Sequence, residues 1–283
     1  DFDRFLLQRE SYERWGVQIP HLAVVHDDEV ERFRRDIPFQ QNLTIMSTRE
    51  VLPPWLEKRR RAKGYRRLNP LHWLTPQPLH GWMAQQLTKL LAATVVPTEG
   101  IVCLDSELAF VGPLSDADFE TEDGTMHLYE TVDDLDAEMG DWYVKSMRFL
   151  DVPLRHQTMY RCVHAPAVLH RDVMLELQRH VEQLHQKDWI RAILGTPDIY
   201  EYQTYGVFAR HLHHLRLVAP VVPQLSLYYW WPEQIETIAQ DFARRLEERP
   251  ARLVLVNSNL GIDTAVYRSL IAARWPGSPM ATV

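Results

Sequence analysis

Two carboxylates that can hold a cation follow an apolar stretch of the chain. The segment Ile101–Leu104 predicts a buried strand, and Asp105 and Glu107 come directly after it. Because alternate side chains of an extended backbone share a face, we expect the two carboxylates to converge beyond the end of this strand. Mg²⁺ and Mn²⁺ prefer oxygen ligands and complete their shells with water and phosphates. Asp105 and Glu107 therefore predict a metal site, the alternative being a strand end whose acidic residues cap a turn.

The elements before this segment alternate between helix and strand. The apolar spacing of the first fifteen residues and of residues 79–93 predicts helices, and two short apolar runs predict buried strands. Asp27 and Asp28 are expected to cap a helix that carries Val30 and Phe33, and Ser47 and Glu50 match a capping box. This order predicts an α/β fold with a mixed, mainly parallel central sheet flanked by helices. The helices are Phe2–Trp15 and Leu79–Ala93, and the strands are His21–Val25 and Leu43–Met46.

Proline and basic residues separate these elements from the helix that begins at Leu79. Pro53 and Pro54, a basic run and the proline-rich stretch Pro70–Pro78 predict an irregular link. The basic run Lys58–Arg61 is either a solvated face or a weak patch for an anionic membrane surface.

The second half of the chain is more mixed. Its strands are expected to form an antiparallel or edge region, and its helices follow loops. The predicted strands are Met126–Tyr129, Trp142–Met147, Met159–Val163 and Leu253–Val256. The predicted helices are Arg171–Gln186, Tyr202–Leu215 and Pro232–Glu248. An extended structure is predicted for Leu217–Trp231.

Composition points to a packed globular protein. The chain has 283 residues, of which 46% are hydrophobic, and no apolar run approaches the ~18 residues of a membrane span. Cys103 and Cys162 lie in apolar stretches and are expected to be buried thiols of a reducing compartment. We therefore expect a cytoplasmic protein without a transmembrane segment.

Charge is distributed unevenly along the chain. The net charge is −7, yet the segment Ser115–Val144 alone holds eleven acidic residues and no Lys or Arg. The remainder is mildly basic, which suits an anionic ligand such as a nucleotide diphosphate and gives no reason to expect nucleic acid. The acidic segment is either a solvated excursion or a surface that faces an acceptor.

Several familiar site patterns are missing from the sequence. There is no Gly-x-Gly-x-x-Gly element, phosphate-binding loop, nucleophile elbow or zinc-ligand spacing. His211, His213 and His214 lie among leucines, so we expect them on a helix surface. His164 and His170 flank a loop before a helix.

Three segments together resemble a known family. They are similar to a bacterial family of GT-A-like glycosyltransferases that accompany polysaccharide biosynthesis genes. The domain of this family was long labelled as of unknown function. The three segments are Gly81–Leu90, Val102–Glu107 and Glu201–Gly206. The resemblance covers the chain from Asp1 to about Asn257. It implies a single GT-A-like, Rossmann-type domain over residues 1–283, with a nucleotide-sugar-binding half at 1–114 and an acceptor-side half at 115–283.

The resemblance also implies a nucleotide-diphosphate-sugar donor held by an Asp-x-Asp type element, with Mn²⁺ or Mg²⁺ bridging carboxylate and diphosphate. Here the second acidic position is Glu107, whose longer side chain moves the carboxylate outward. Relatives begin with an additional strand that helps to hold the nucleotide base, and no such strand precedes Asp1 in this sequence.

Donor-binding residues follow from the same resemblance. Gln85 and Lys89 share a helix face by the i, i+4 rule and can reach a phosphate or a sugar hydroxyl, and Gln86 and Asp105 belong to the same set. Tyr65 and Arg66, with Arg67, lie in a loop where guanidinium groups suit phosphate oxygens. Without the resemblance, Lys89 would be read as a solvated surface group.

A transfer that inverts the anomeric centre needs a base for the acceptor hydroxyl. Glu201 is the candidate, since Tyr200, Tyr202 and Tyr205 flank it and offer stacking surfaces for sugar rings. The alternative is a capping glutamate beside core tyrosines, and Asp151 is the second candidate base.

The sequence thus predicts a metal-dependent glycosyltransferase that moves a sugar from a nucleotide-diphosphate donor to a glycan or lipid-linked acceptor. The expected setting is bacterial surface polysaccharide synthesis, in the cytoplasm or peripheral to the inner membrane. Two alternatives stay open. One is a non-catalytic binding or scaffold module of a larger glycan assembly enzyme, and the other is a metal-dependent phosphodiesterase or nucleotidyltransferase.

Overall fold

Helices and strands alternate along the chain. The computed structural model describes residues 2–38, 41–61, 79, 81–249 and 251–277. The α-helices in these residues are α1 (Phe2–Arg14), α2 (Val30–Asp36), α3 (Thr48–Val51), α4 (Pro54–Arg61), α5 (Gly81–Val95), α6 (Gly140–Phe149), α7 (Arg171–His185), α8 (Trp189–Leu194), α9 (Glu201–Val207), α10 (Pro232–Glu236), α11 (Ile238–Glu248) and α12 (Thr264–Ala272).

The strands are short and pair in small groups. They are β1 (His21–Val25), β2 (Leu43–Ser47), β3 (Gly100–Cys103), β4 (Leu108–Phe110), β5 (Met126–Tyr129), β6 (Thr131–Asp134), β7 (Thr158–Arg161), β8 (Ala167–His170), β9 (Val218–Val221), β10 (Ser226–Tyr229) and β11 (Leu253–Val256).

Parallel and antiparallel pairings are equally frequent among the described strands. The pairs β1–β2, β5–β9 and β10–β11 are parallel, and β3–β8, β4–β11 and β6–β7 are antiparallel. They form five separate groups in the part of the chain described here. The mixed α/β class is thus confirmed, whereas one continuous, mainly parallel sheet stays a prediction.

Helix α5 and strand β3 form the centre of the largest core cluster. Leu87 and Leu90 of α5 are buried, and they pack with Cys103 of β3 and with side chains of α6, α7 and α9. The helix ends at Val95, two residues before Pro97, because a proline disfavours helical geometry in the residue that precedes it. Strand β3 then pairs with β8 in the register Gly100 to His170.

A second core cluster lies around β10, β11 and α11. Tyr229, Phe242, Val254 and Val256 are buried there. Both cysteines are free and buried, as the sequence predicts. In the described part of the chain, no helix combines the length and the apolar character that crossing a membrane requires.

One predicted strand is wrong, because Trp142–Met147 lies inside helix α6. Tyr143, Ser146, Met147 and Phe149 are buried, and their spacing of three to four residues is that of a helix face. The β-branched and aromatic residues of this segment suggested a strand, but tertiary burial overrides that local preference.

Smaller corrections concern helix starts. The capping box at Ser47 and Glu50 is confirmed. By contrast, His26 rather than Asp27 or Asp28 caps the turn before α2, since its ring accepts the Asp28 amide proton. Pro54, expected in an irregular link, is the first residue of α4, a position where the missing N–H has no helical partner to lose.

Two longer predicted helices are also divided. Residues Phe208–Leu212 form a π turn after α9, and Thr237 separates α10 from α11.

Candidate functional site

The acidic pair lies in a turn between β3 and β4. The extended backbone ends at Cys103, and the Leu108 amide donates to the Asp105 carbonyl at 3.0 Å. A turn therefore replaces the extended backbone that was expected through Glu107, and the convergence of the two carboxylates on one ion stays a prediction. The Asp105 carboxylate contacts α5, whereas Glu107 Oε1 accepts the Ser258 amide at 3.0 Å, just after β11.

Lys89 joins two of the predicted site residues. Its Nζ lies 2.8 Å from Asp105 Oδ1 and 3.0 Å from Glu201 Oε1. Gln85, one turn earlier on α5, donates to the same Asp105 oxygen at 3.2 Å. We call Gln85, Gln86, Lys89, Asp105 and Glu201 the Lys89 cluster. It brings together a helix, a turn and the first residue of another helix.

Burial determines the electrostatics of this cluster. The side chain of Glu201 is 2% exposed and that of Lys89 is 13% exposed. Burial raises the pKa of Glu201, although the Lys89 ammonium opposes the shift. Burial by itself lowers the pKa of Lys89, but Tyr202, Glu201 and Asp105 hold it well above its usual value. These interactions favour the ammonium form of Lys89 between the two carboxylates.

Helix α9 is held so that Glu201 meets Lys89. The Glu201 amide donates to Gln86 Oε1 at 3.0 Å. Gln203 accepts from the Cys162 amide and donates to the Tyr160 carbonyl, which fixes α9 against the end of β7. The position of Glu201 therefore depends on contacts with distant parts of the sequence.

Some polar atoms of this region lack partners in the part of the chain described here. Glu201 Oε2, Gln86 Nε2 and the Tyr202 hydroxyl are buried without a hydrogen bond. An unpaired buried polar atom costs free energy, about 1–3 kcal/mol for a neutral group and more for a charged one. Such an arrangement is typical of a site that a ligand completes.

The tyrosines around Glu201 differ in exposure. Tyr202 and Tyr205 are buried in the core, and Tyr205 accepts the His170 amide proton at 2.8 Å, so these two rings are not stacking surfaces for sugars. Tyr200 remains partly exposed. It stacks on Trp142 with ring centroids 4.6 Å apart and lies 6.1 Å from Trp82.

Trp82 and Trp142 lie beside Tyr200 but are not among the predicted site residues. Trp82, Gln85 and Lys89 are spaced i, i+3 and i+7, so helical periodicity places Trp82 on the site face of α5. Trp142 had no such signal, because its segment was predicted as a strand.

Asp151, the second candidate base, lies elsewhere. It is exposed, has a left-handed backbone with φ of 54°, and lines a cleft of about 430 Å³ with Arg155, His156 and His211. None of the residues of the Lys89 cluster lines this cleft in the described structure. Tyr65, Arg66 and Arg67 lie outside the described residues.

The histidines near residue 211 are not all on a surface, which corrects the sequence expectation. His213 is 2% exposed and its Nε2 lies 3.7 Å from Glu176 Oε2 of α7. His211 Nε2 and the Tyr143 hydroxyl are 3.1 Å apart. His164 bonds to the Arg161 carbonyl, and His170 caps α7.

The carboxylates of the turn suit a hard divalent ion in their chemistry. Asp105 Oδ2 and Glu107 Oε2 have no hydrogen bond within the described residues, where only Asp105 Oδ1 and Glu107 Oε1 are engaged. No group of three or more His, Cys, Asp or Glu side chains placed to hold a metal occurs in these residues. A metal here would therefore depend on water and ligand oxygens for the rest of its shell.

The chain belongs to a protein family. The family of unknown function DUF6492 matches residues 2–276. No curated protein matches the chain. The family description names no activity.

Proposed function

We propose that this member of DUF6492 is a glycosyltransferase with a GT-A-like fold, which moves a sugar from a nucleotide-diphosphate donor to a glycan or lipid-linked acceptor. The observation that carries the proposal is the meeting of Lys89, Asp105 and Glu201 at the end of β3, with one Glu201 oxygen unpaired. The ends of strands in α/β folds are common ligand sites. Bacterial surface polysaccharide synthesis, at the cytoplasmic side of the inner membrane, is the proposed setting.

Charge on the leaving group is the first requirement of such a transfer. The diphosphate gains negative charge as the bond to the sugar carbon breaks, and a fixed cation stabilises it. Lys89 supplies one such charge. Mn²⁺ or Mg²⁺, held by the free oxygens of Asp105 and Glu107, would add Lewis-acid stabilisation when bound.

Removal of the acceptor proton is the second requirement. The acceptor oxygen forms a bond to the anomeric carbon, the bond from that carbon to the diphosphate oxygen breaks, and the nucleoside diphosphate departs with the electron pair. In a transfer that inverts the anomeric centre, the hydroxyl proton passes to Glu201 Oε2. Burial raises the pKa of Glu201 and so makes it a stronger base than an exposed carboxylate.

Thermal denaturation with UDP, GDP and CMP, each with and without Mn²⁺, tests donor binding. We expect one nucleotide to stabilise the chain in a metal-dependent way, by about 2.7 kcal/mol at a concentration about 100 times its Kd. Asp105→Asn should abolish the metal-dependent part. The matched control is Asp198→Asn, because Asp198 pairs with Lys145 at the same 2.8 Å but is exposed. No response to any nucleotide contradicts the proposal and favours a scaffold module.

Product analysis then separates transfer from hydrolysis. With the nucleotide sugar that stabilises the chain, Asp105→Asn and Glu201→Gln should each lower turnover at least about 100-fold, since positioned charges and bases contribute factors of that size. Unchanged turnover in Asp105→Asn contradicts the metal assignment. Release of a nucleoside monophosphate instead of a diphosphate identifies a phosphodiesterase.

A further inference from the structure

A row of three aromatic side chains lies beside the Lys89 cluster. We call Trp82, Tyr200 and Trp142 the aromatic row. Tyr200 is in the middle, 4.6 Å from Trp142 in a parallel stack with an interplanar angle of 13°, and 6.1 Å from Trp82 at 44°. The three residues come from α5, from α6 and from the position before α9, so tertiary folding creates the row.

The row is open to solvent. Trp82 is 44% exposed, and Tyr200 and Trp142 are only partly buried. An exposed indole beside further aromatic rings leaves apolar surface in water, and such surfaces mark binding sites when polar groups converge next to them. A ligand that covers the row would remove this surface from water.

Polar groups converge at one end of the row. Trp82 lies one turn before Gln85 and two turns before Lys89 on α5, and Tyr200 directly precedes Glu201. Burial raises the pKa of the Tyr200 phenol, and the charge of Glu201 raises it further. The unpaired Glu201 Oε2 and the free Asp105 Oδ2 are acceptors without donors in the described residues.

We propose that the aromatic row is a saccharide subsite, which stacks the pyranose rings of a neutral acceptor glycan and directs one of its hydroxyls at Glu201. This inference rests on the proposed function and names its acceptor as a carbohydrate chain. The apolar C–H face of a pyranose packs on an aromatic ring, and its equatorial hydroxyls donate to carboxylates at the ring edge.

A nucleobase is the competing occupant, because every base also has a face that stacks on aromatic rings. Sugar hydroxyls both donate and accept hydrogen bonds, so a saccharide suits the acceptor Glu201 Oε2 and the donor Gln86 Nε2, both unpaired in the described residues, whichever hydroxyl faces them. A base instead needs a fixed pattern of donors and acceptors along its edge.

Binding of neutral trisaccharides to the full chain tests the subsite. The probes are maltotriose, cellotriose, chitotriose and mannotriose, measured without nucleotide by saturation-transfer NMR and calorimetry. We expect at least one to bind saturably. Trp142→Ala and Trp82→Ala should each weaken it about tenfold, which corresponds to about 1.4 kcal/mol, and Trp142→Phe should retain most of the affinity.

Trp231→Ala is the matched control, because Trp231 is 54% exposed and is not part of the aromatic row. The affinity of this variant for the trisaccharide should equal that of the unsubstituted chain. Circular dichroism checks the folding of every variant. If Trp142→Ala fails to fold, Trp82→Ala decides the test, because Trp82 is the more exposed ring and its removal should disturb the fold less.

Three results would overturn the subsite: no binding of any trisaccharide, equal loss in Trp231→Ala, or loss of UDP or GDP affinity in place of trisaccharide affinity. The last result would assign the row to the donor base and leave the proposed glycosyltransferase intact. Conversely, trisaccharide binding without any nucleotide response would keep the subsite and refute the transferase.

Discussion

At the scale of single residues, Lys89 organises the site. Its ammonium lies between two carboxylates from different parts of the sequence, one in a turn and one at the start of α9. Its Nζ also lies 4.4 Å from the centroid of the Tyr202 ring. The buried Glu201 carboxylate and the partly exposed Asp105 carboxylate would repel each other without this cation. Lys89 therefore stabilises the fold and would also provide charge for a ligand.

Replacing Lys89 by methionine should destabilise the protein strongly. Lys89→Met keeps the side-chain length but leaves Glu201 buried without its ion-pair partner, and breaking a buried pair in this way costs about 3–5 kcal/mol. Lys145→Met is the control, because the exposed Lys145–Asp198 pair has the same 2.8 Å separation and should contribute less than about 1 kcal/mol. Urea unfolding measures both. Equal losses would show that the Lys89 pairs behave like surface ion pairs.

At the scale of elements, close packing of α9 on the end of β7 sets the position of Glu201. Gly206 of α9 faces Cys162, and a Cβ at position 206 would overlap the Cys162 side chain. Only glycine allows this approach. Because the two residues are far apart in the sequence, no local sequence pattern predicts this contact.

Gly206→Ala should therefore be destabilising, by about 1–3 kcal/mol, since the extra methyl group overpacks a filled core. Gly81→Ala is the matched control, because a Cβ at Gly81 meets open space at the start of α5 and alanine favours helix. Its stability should be unchanged or slightly higher. Thermal unfolding of the two variants checks the difference, and a Gly206→Ala protein as stable as Gly81→Ala would refute the close contact.

At the scale of the whole molecule, two partly buried histidines, His21 and His164, link stability to pH. Burial and the charge of Arg9 lower the pKa of His21 to about 4. Burial and the charge of Arg161 lower the pKa of His164 to about 4. Both residues are neutral in the folded protein at pH 7. The Arg9 guanidinium, 3.1 Å from His21 Nδ1, requires that nitrogen to be an acceptor.

Stability should fall as the pH drops from about 6.5 to about 4. In this window the unfolded histidines bind protons that the folded ones do not, so acid favours the unfolded chain, by up to about 3 kcal/mol for each histidine. His21→Gln and His164→Gln should each flatten the dependence of the unfolding free energy on pH. His156→Gln, at an exposed histidine, is the control and should not flatten it. An unchanged slope in His21→Gln would contradict the lowered pKa.

The sequence by itself determined the elements that have a strong local signal. The helices α1, α5 and α7, the parallel strands β1 and β2 and the capping box at Ser47 follow from periodicity and cap chemistry, because these depend on neighbours in the chain. The sequence pattern selected Asp105 and Glu201, and the resemblance added Gln85, Gln86 and Lys89. The structure places all five in one cluster. Their chemical function stays a prediction.

Only the tertiary structure decided which of these side chains meet. The turn after Cys103 sends Asp105 to Lys89 and Glu107 to the Ser258 amide, although their i, i+2 spacing suggested one shared direction. Packing made Trp142 part of a helix and turned Tyr202 and Tyr205 into core residues. The physical reason is that burial and ion pairing are contacts between distant segments, and their free energies exceed the local preferences that a sequence pattern expresses.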